Sequence, residues 1–278
     1  MVGADGLIGA SLARRLERES APVLKTSRRS AAGGICLDLA APKDRWEIPS
    51  NVEVACLCAA ITSTDYCRRN PVESRRINVE ATLALSQRLH AQGARIIFLS
   101  SNQVFDGTLP HRGVDDATCP RTEYGRQKVE VEQRLLELGG RVSILRLTKV
   151  LAPGNLLLAG WLEALGRGAV IHPFRDMVMA PVALDLAIDA LVAMGRKPGD
   201  GVFQLSAARD ISYEEAARCI AARIGASADL ILPISAFESM PGSEWLPKHT
   251  TLDGERLRVR YSINCPEPQL ALQKAVSQ

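Results

Sequence analysis

Several chemistries are missing from this chain. Its seven cysteines (Cys36, Cys56, Cys58, Cys67, Cys119, Cys219 and Cys265) form no CxxC pair, and their odd count suits a reducing compartment. The four histidines stand apart without ligand-like spacing, so no metal is expected. No apolar run approaches the roughly 18 residues of a membrane span, and no secretory leader is read at the start. A cytoplasmic protein without membrane contact is the expectation. An excess of one charge is lacking too: 34 basic and 31 acidic side chains leave +3. That bias argues against a nucleic-acid partner while still allowing an anionic small ligand. Internal repeats and low-complexity linkers are absent.

What remains is globular composition, with 278 residues, 46% hydrophobic and 23% charged, enough for one or two domains. Short β-rich runs alternate with longer helical patterns, which predicts an α/β fold with a doubly wound parallel sheet. Helices are expected over 7–19 (apolar stripe Leu7, Ile8, Leu12, Leu16), from Pro71 through Leu89, and over 123–138. Strands are expected over 22–26, 35–39, 52–58, 95–100 and 142–146. Beyond Leu151 the rhythm changes to helices over 156–165, 184–194 and 213–224 with short strands such as 202–205, while 243–264 reads as polar and irregular.

Gly3-Ala4-Asp5-Gly6-Leu7-Ile8-Gly9 is a GxxGxxG turn opening directly into a helix. Glycines there let backbone approach a pyrophosphate, and the helix start offers free amides and a positive dipole end. Gly3, Gly6, Leu7 and Ile8 are therefore candidate cofactor contacts in a Rossmann-type domain over 1–150. Segments of that domain return later in the chain, and 151–278 form mainly a smaller substrate-binding lobe that makes a cleft with it. At the end of the next strand stand Arg28 and Arg29, suited to the 2′-phosphate of NADP(H), where an acidic residue would suit NAD(H). A solvated basic pair is the competing reading. Asp38, with Leu39 beside it, is placed to accept from an adenine amino group or simply to shape a surface turn. Such folds place a buried strand of about five residues before the turn, yet only Met1 and Val2 precede Gly3. The first strand thus reads as truncated. The expectation is a natural start further upstream, or a shortened form with poor cofactor affinity.

Tyr124 and Lys128 form a YxxxK pair whose spacing puts both side chains on one helical face. An ammonium beside a phenol is expected to stabilise the phenolate. Such a tyrosine can hand a proton to a carbonyl oxygen as hydride reaches its carbon. Ser100 and Ser101 end the 95–100 strand, and Ser101 can donate a hydrogen bond to the same carbonyl.

In this arrangement the chain resembles the extended short-chain dehydrogenases/reductases, within them the dTDP-4-dehydrorhamnose reductase branch. The resemblance runs in order through the glycine turn, Ala59-Ala60, Asn78-Val79-Glu80-Ala81-Thr82 and the Ser100 to Gly107 segment. It continues through Tyr124, Lys128, Leu145-Arg146, Pro181, Asp185-Leu186-Ala187 and Thr251-Leu252-Asp253. It implies a cofactor held at Gly3, Gly6, Ala59, Ala60, Asn78, Ser100, Tyr124 and Lys128, with Ser101 and Tyr124 at the reacting carbonyl. It implies substrate contacts from Ser101, Asn102, Gln103, Val104, Phe105 and Lys149. Two departures bear on the substrate. Ser-Ser-Asn-Gln replaces the branch's Ser-Thr-Asp-Tyr, and Lys149 stands where a tryptophan is usual. The implied activity is NADP-dependent reduction of a nucleotide-linked 4-keto sugar, by a chain for which a homodimer is among the expected states. An epimerase of the same fold and a non-catalytic NADP-binding regulatory subunit are the alternatives. Trp161 and Trp245 read as packing aromatics, Cys56 and Cys58 as buried small side chains, and His172 and His249 as lacking partners.

Overall fold

The computed structural model describes residues 1–28, 34–243 and 246–277; Arg29 and Trp245 lie outside the described residues. The chain divides into two compact units. One comprises Met1–Val104, Thr118–Arg146 and Ile188–Phe203; the other comprises Phe105–Ala117, Leu147–Ala187 and Gln204–Gln278.

The first unit begins with α1 (Leu7–Arg18), whose buried side is formed by Gly9, Leu12 and Ala13. Leu7, expected on that side, is 53% exposed, because it occupies the uncovered first turn. The parallel strands β1 (Thr26–Ser27) and β2 (Ile35–Cys36) follow. β1 begins later than the 22–26 expectation, since the flanking lane pairs only with its end: Thr26 N–H donates to the Met1 carbonyl at 2.9 Å. Next come β3 (Val54–Leu57), α2 (Thr64–Arg69) and α3 (Pro71–Arg75), where proline at a helix start loses no hydrogen bond. A π-helical turn over Arg76–Ala81 joins α3 to α4 (Thr82–Ala91). β4 (Arg95–Ser101) runs parallel to β3, pairing Ala55 with Ile96 and Leu57 with Phe98. β4 is buried over Ile96–Ser100 and β5 (Val142–Leu147) along its whole length, with Ile96–Leu99 and Ile144–Leu145 as apolar centres, as suits strands covered on both faces. Between them lies α5 (Glu123–Leu136).

In the rest of the chain β6 (Val150–Leu151), α6 (Leu156–Gly166), β7 (Val178–Met179), β8 (Val182–Ala183) and α7 (Leu184–Arg196) precede β9 (Gly201–Leu205). β9 completes a four-stranded sheet ordered β3-β4-β5-β9. Then come β10 (Ile211–Ser212), α8 (Tyr213–Ile224), α9 (Ala236–Ser239), α10 (Glu255–Tyr261) and α11 (Pro268–Val276). The second unit has its own core of Leu158, Trp161, Met179, Tyr213, Ile220 and Leu272. Trp161 meets Tyr213 edge to face at 6.3 Å, as a packing aromatic should. α10 interrupts the stretch expected to be irregular; it buries only Leu257, so no apolar stripe announces it. His172 and His249 do have partners: Nδ1 of the first contacts the Leu232 carbonyl at 3.0 Å, and Nδ1 of the second the Asp210 carboxylate at 3.3 Å. Among the described residues no helix is long and apolar enough to cross a membrane.

Ahead of the glycine turn, Val2 forms single parallel bridges to both Thr26 and Leu57. Its N–H donates to the Cys56 carbonyl at 2.9 Å, and Met1 donates to the Leu24 carbonyl at 2.8 Å. A strand residue turns its N–H and C=O the same way. The N–H groups of Cys56 and Leu24 therefore face the same lane, with no partner among the described residues. The lane widens into an apolar channel of about 720 Å³ lined by Leu12, Leu16, Val23, Leu24, Val54 and Leu89, among others.

Candidate active site

The glycine turn is built by close approach. Gly3 has φ +83°, and a Cβ there would fall 2.8 Å from the Ala59 nitrogen. A Cβ on Gly9 would fall 2.2 Å from the Gly3 carbonyl, so the first turn of α1 closes directly on the loop. Gly6 caps α1 with no side chain of its own. The amides of Leu7 and Ile8 are thus among those the helix itself cannot satisfy. Ala59 and Ala60 line the opposite side, both half-buried. The Asp5 carboxylate, which sequence reasoning had not singled out, accepts from the Ser27 hydroxyl. Arg28 is exposed just beyond β1. Asp38 accepts from the Ala40 N–H at 2.9 Å, shaping its own turn, and Leu39 is buried.

At the carboxyl end of β4, Ser100 Oγ is buried with no hydrogen-bond partner among the described residues. Ser101 Oγ accepts from the Gln103 N–H at 3.2 Å and donates to Asn102 Oδ1 at 3.3 Å. Gln103 Oε1 accepts from the Thr122 hydroxyl at 2.9 Å, and Thr122 caps α5 by accepting from the Gly125 N–H at 2.9 Å. A Cβ on Gly125 would sit 2.2 Å from the Gln103 carbonyl. Only glycine lets α5 lie this close to the Ser101 turn. The side chains of Val104 and Phe105 are buried, the latter under the Arg112 guanidinium at 4.5 Å. Lys149 is exposed and belongs to the second unit.

Tyr124 and Lys128 are both buried on one face of α5. Lys128 Nζ donates to the Leu99 carbonyl at 2.7 Å and lies 4.4 Å from the Phe98 ring centre and 5.5 Å from that of Tyr124. Burial draws the ammonium down to about 8, opposed in part by the Glu132 carboxylate. Burial likewise pushes the Tyr124 phenol well above its ordinary value, with the Cys67 thiol adding to the rise. The expectation of a stabilised phenolate is therefore corrected. Lost solvation sets the direction, and it favours the protonated phenol over the phenolate.

Asn78 is 4% exposed, with its amide held within the protein. Its Oδ1 accepts from the Ile61 N–H at 2.8 Å, and its Nδ2 donates to the Ile61 carbonyl at 2.9 Å and to Gln127 Oε1 at 2.8 Å. Two further buried groups escaped the sequence reading. Gln127 is one; the other is Glu132, which takes a bidentate ion pair from Arg146 at 2.7 and 3.1 Å. The spacing of Glu132, one helical turn beyond Lys128, is the signal that would have found it.

A dinucleotide suits these groups. The turn excludes any side chain where a pyrophosphate needs backbone, the helix start offers amides, and Ser100 holds an unused hydroxyl. Parallel sheet, glycine turn and Ser–Tyr–Lys set together define an extended short-chain dehydrogenase/reductase. The model of one family, described as the RmlD substrate binding domain, matches residues 1–278, and the chain belongs to that family. It is similar to the dTDP-4-dehydrorhamnose reductase of Burkholderia thailandensis, 26% identical over 98% of this chain and 95% of that protein. It is also similar to the Pongo abelii methionine adenosyltransferase 2 subunit beta, 33% identical over 117 residues, 42% of this chain and 33% of that one. A crystal structure of the Bacillus anthracis dTDP-4-dehydrorhamnose reductase in complex with NADP shares the fold, with TM-score 0.83, 19% identity, and 99% and 96% of the two chains covered.

Proposed function

We propose that the protein is an NADP-dependent reductase of a nucleotide-linked 4-keto sugar. The observation that carries this reading is the buried Tyr124–Lys128 pair on α5, with Lys128 bonded to β4 at Leu99, two residues before Ser101. The reduced cofactor, when bound, supplies hydride. Tyr124 enters the reaction as a neutral phenol, the state that donates a proton to a carbonyl oxygen. Ser101 Oγ, which here donates to Asn102 Oδ1, would donate to the same oxygen. Lys128, still mostly protonated at pH 7 with a value near 8, provides a cation for a ribose hydroxyl and for charge developing on the phenol. Gly3, Gly6, Leu7, Ile8, Ala59, Ala60 and Ser100 would hold the cofactor. Arg28 with Arg29 would favour NADP(H) over NAD(H). Asn102, Gln103 and Lys149 are the residues through which the sugar would be chosen. A cytoplasmic setting suits free thiols in this number, and size-exclusion chromatography tests the homodimer.

The similarity to a methionine adenosyltransferase 2 subunit beta favours a second reading, a cofactor-binding protein without turnover. One experiment separates the two: NADPH consumption measured against dTDP-, UDP- and GDP-linked 4-keto sugars. Steady oxidation with any of them supports the reductase. NADPH binding without consumption supports the subunit, and sugar interconversion without net consumption would indicate an epimerase.

A further inference from the structure

Gln127 lies between the two catalytic candidates on α5, one residue before Lys128 and three after Tyr124, and is 1% exposed. Every polar atom of its amide is engaged. Nε2 donates to Ser74 Oγ at 2.8 Å and to Glu123 Oε1 at 3.1 Å, and Oε1 accepts from Asn78 Nδ2 at 2.8 Å. Asn78 in turn grips the backbone of Ile61 through both its oxygen and its nitrogen. Ile61 directly follows Ala59-Ala60, and Ala59 is the residue against which the Gly3 turn is packed. A continuous run of buried amides thus leads from the catalytic helix through the π-helical turn to the loop facing the glycine turn.

We infer that Gln127 is a positioning residue: it ties the 59–61 loop to α5, so that the cofactor wall and the Tyr124–Lys128 pair keep one spacing. The inference rests on the reductase reading for its kinetic consequence, but its structural consequence does not. Among the described residues neither Tyr124 nor Lys128 reaches the loop through a hydrogen bond of its own; Lys128 is bonded to β4 at Leu99. Two buried amides meeting head to tail hold position more stringently than apolar packing. A shift of about 1 Å breaks a hydrogen bond, whereas side chains in van der Waals contact slide.

Gln127→Met keeps the length of the side chain and removes all its hydrogen bonds. In the cofactor-free protein, amide exchange at Ile61 should quicken about ten-fold, while Ile144 in β5 keeps its rate. The NADPH dissociation constant should rise about ten-fold and kcat fall by a similar factor, with KM for the keto sugar unchanged. Ser74→Ala removes one bond to Gln127 and leaves the Asn78 link; it should lower the melting temperature without altering Ile61 exchange. Should Gln127→Met not fold, Gln127→Asn, one methylene shorter, withdraws the amide from Asn78 without placing an apolar group among polar ones, and must quicken Ile61 exchange and weaken NADPH in the same way. Unchanged Ile61 exchange and NADPH affinity, within two-fold, would overturn the assignment. A wild-type protein that binds NADPH and reduces no keto sugar would sink the reductase reading alone, since exchange and binding still decide this one.

Discussion

The channel beside Val2 invites a direct perturbation: extending the chain ahead of Met1 by a short Val/Ile-rich segment. Three such residues would enter the lane between Leu24 and Cys56. Each apolar side chain buried is worth about 2 kcal/mol, giving about 6 kcal/mol. Partners for the Cys56 and Leu24 N–H groups add about 3 kcal/mol. Ordering three residues costs about 5 kcal/mol, leaving a net gain of about 4 kcal/mol. The extension also replaces the Met1 ammonium, which burial holds below its ordinary value of 8.0, with a neutral amide. For a chain of this size the melting temperature should rise by about 10 °C. NADPH should bind more tightly, because Gly3 would then continue from a strand held on both sides. The assay is thermal unfolding and NADPH titration of the extended chain beside one carrying a charged extension of equal length. If the apolar extension changes neither quantity, or the charged one does as well, the channel is not a strand lane.

Tyr124→Phe should abolish reduction while leaving NADPH affinity within a few-fold, as equilibrium binding and turnover would show; undiminished turnover rules the phenol out as the acid. Lys128 has a folded value near 8 against an ordinary 10.5. Between those pH values the unfolded chain binds a proton that the folded chain has released, so stability should rise with pH across that window. Urea unfolding should show this contribution as the difference between the wild type and Lys128→Met, because Cys56, Cys58 and Tyr124, all raised by burial, pull stability the other way with pH in both proteins; identical pH profiles would rule it out. Neutralising Arg28 and Arg29 should weaken NADPH strongly and NADH hardly at all, by titration; equal weakening makes them surface charge. Lys149→Trp should improve turnover of dTDP-4-dehydrorhamnose and harm that of the native substrate. No change in either would remove Lys149 from the substrate's surroundings.

Elements whose signal is local were legible in the sequence. The centres of β4 and β5 stand out as apolar runs, α5 begins at Glu123 and carries the YxxxK spacing, and the glycine turn enters α1 where expected. Features made by tertiary contact were not legible. The protonated state of Tyr124 follows from burial by residues distant in sequence, which a pairwise reading of phenol and ammonium leaves out. The link between Gln127 and Asn78 spans 49 positions and uses residue types common on any helix. α10, with one buried side chain, has too little apolar periodicity to be recognised. The start of β1 depended on how far its neighbour in the lane reaches, which no propensity encodes.

The π-helical turn between α3 and α4 makes the chain unusually intolerant of a one-residue deletion there. Such a turn holds an extra residue, so the helix faces before and after it are out of phase by about 100°. Ser74, before the turn, points to Gln127, while Leu85 and Leu89, after it, are buried in the core. Removing one residue from Arg76–Ala81 would leave a smoother helix by every local measure, with the same apolar content and better intrahelical bonding. It would also rotate Ser74 and Asn78 away from α5, or swing the leucines out of the core. Length variation among natural relatives should therefore avoid this segment even though a regular helix could form across the gap.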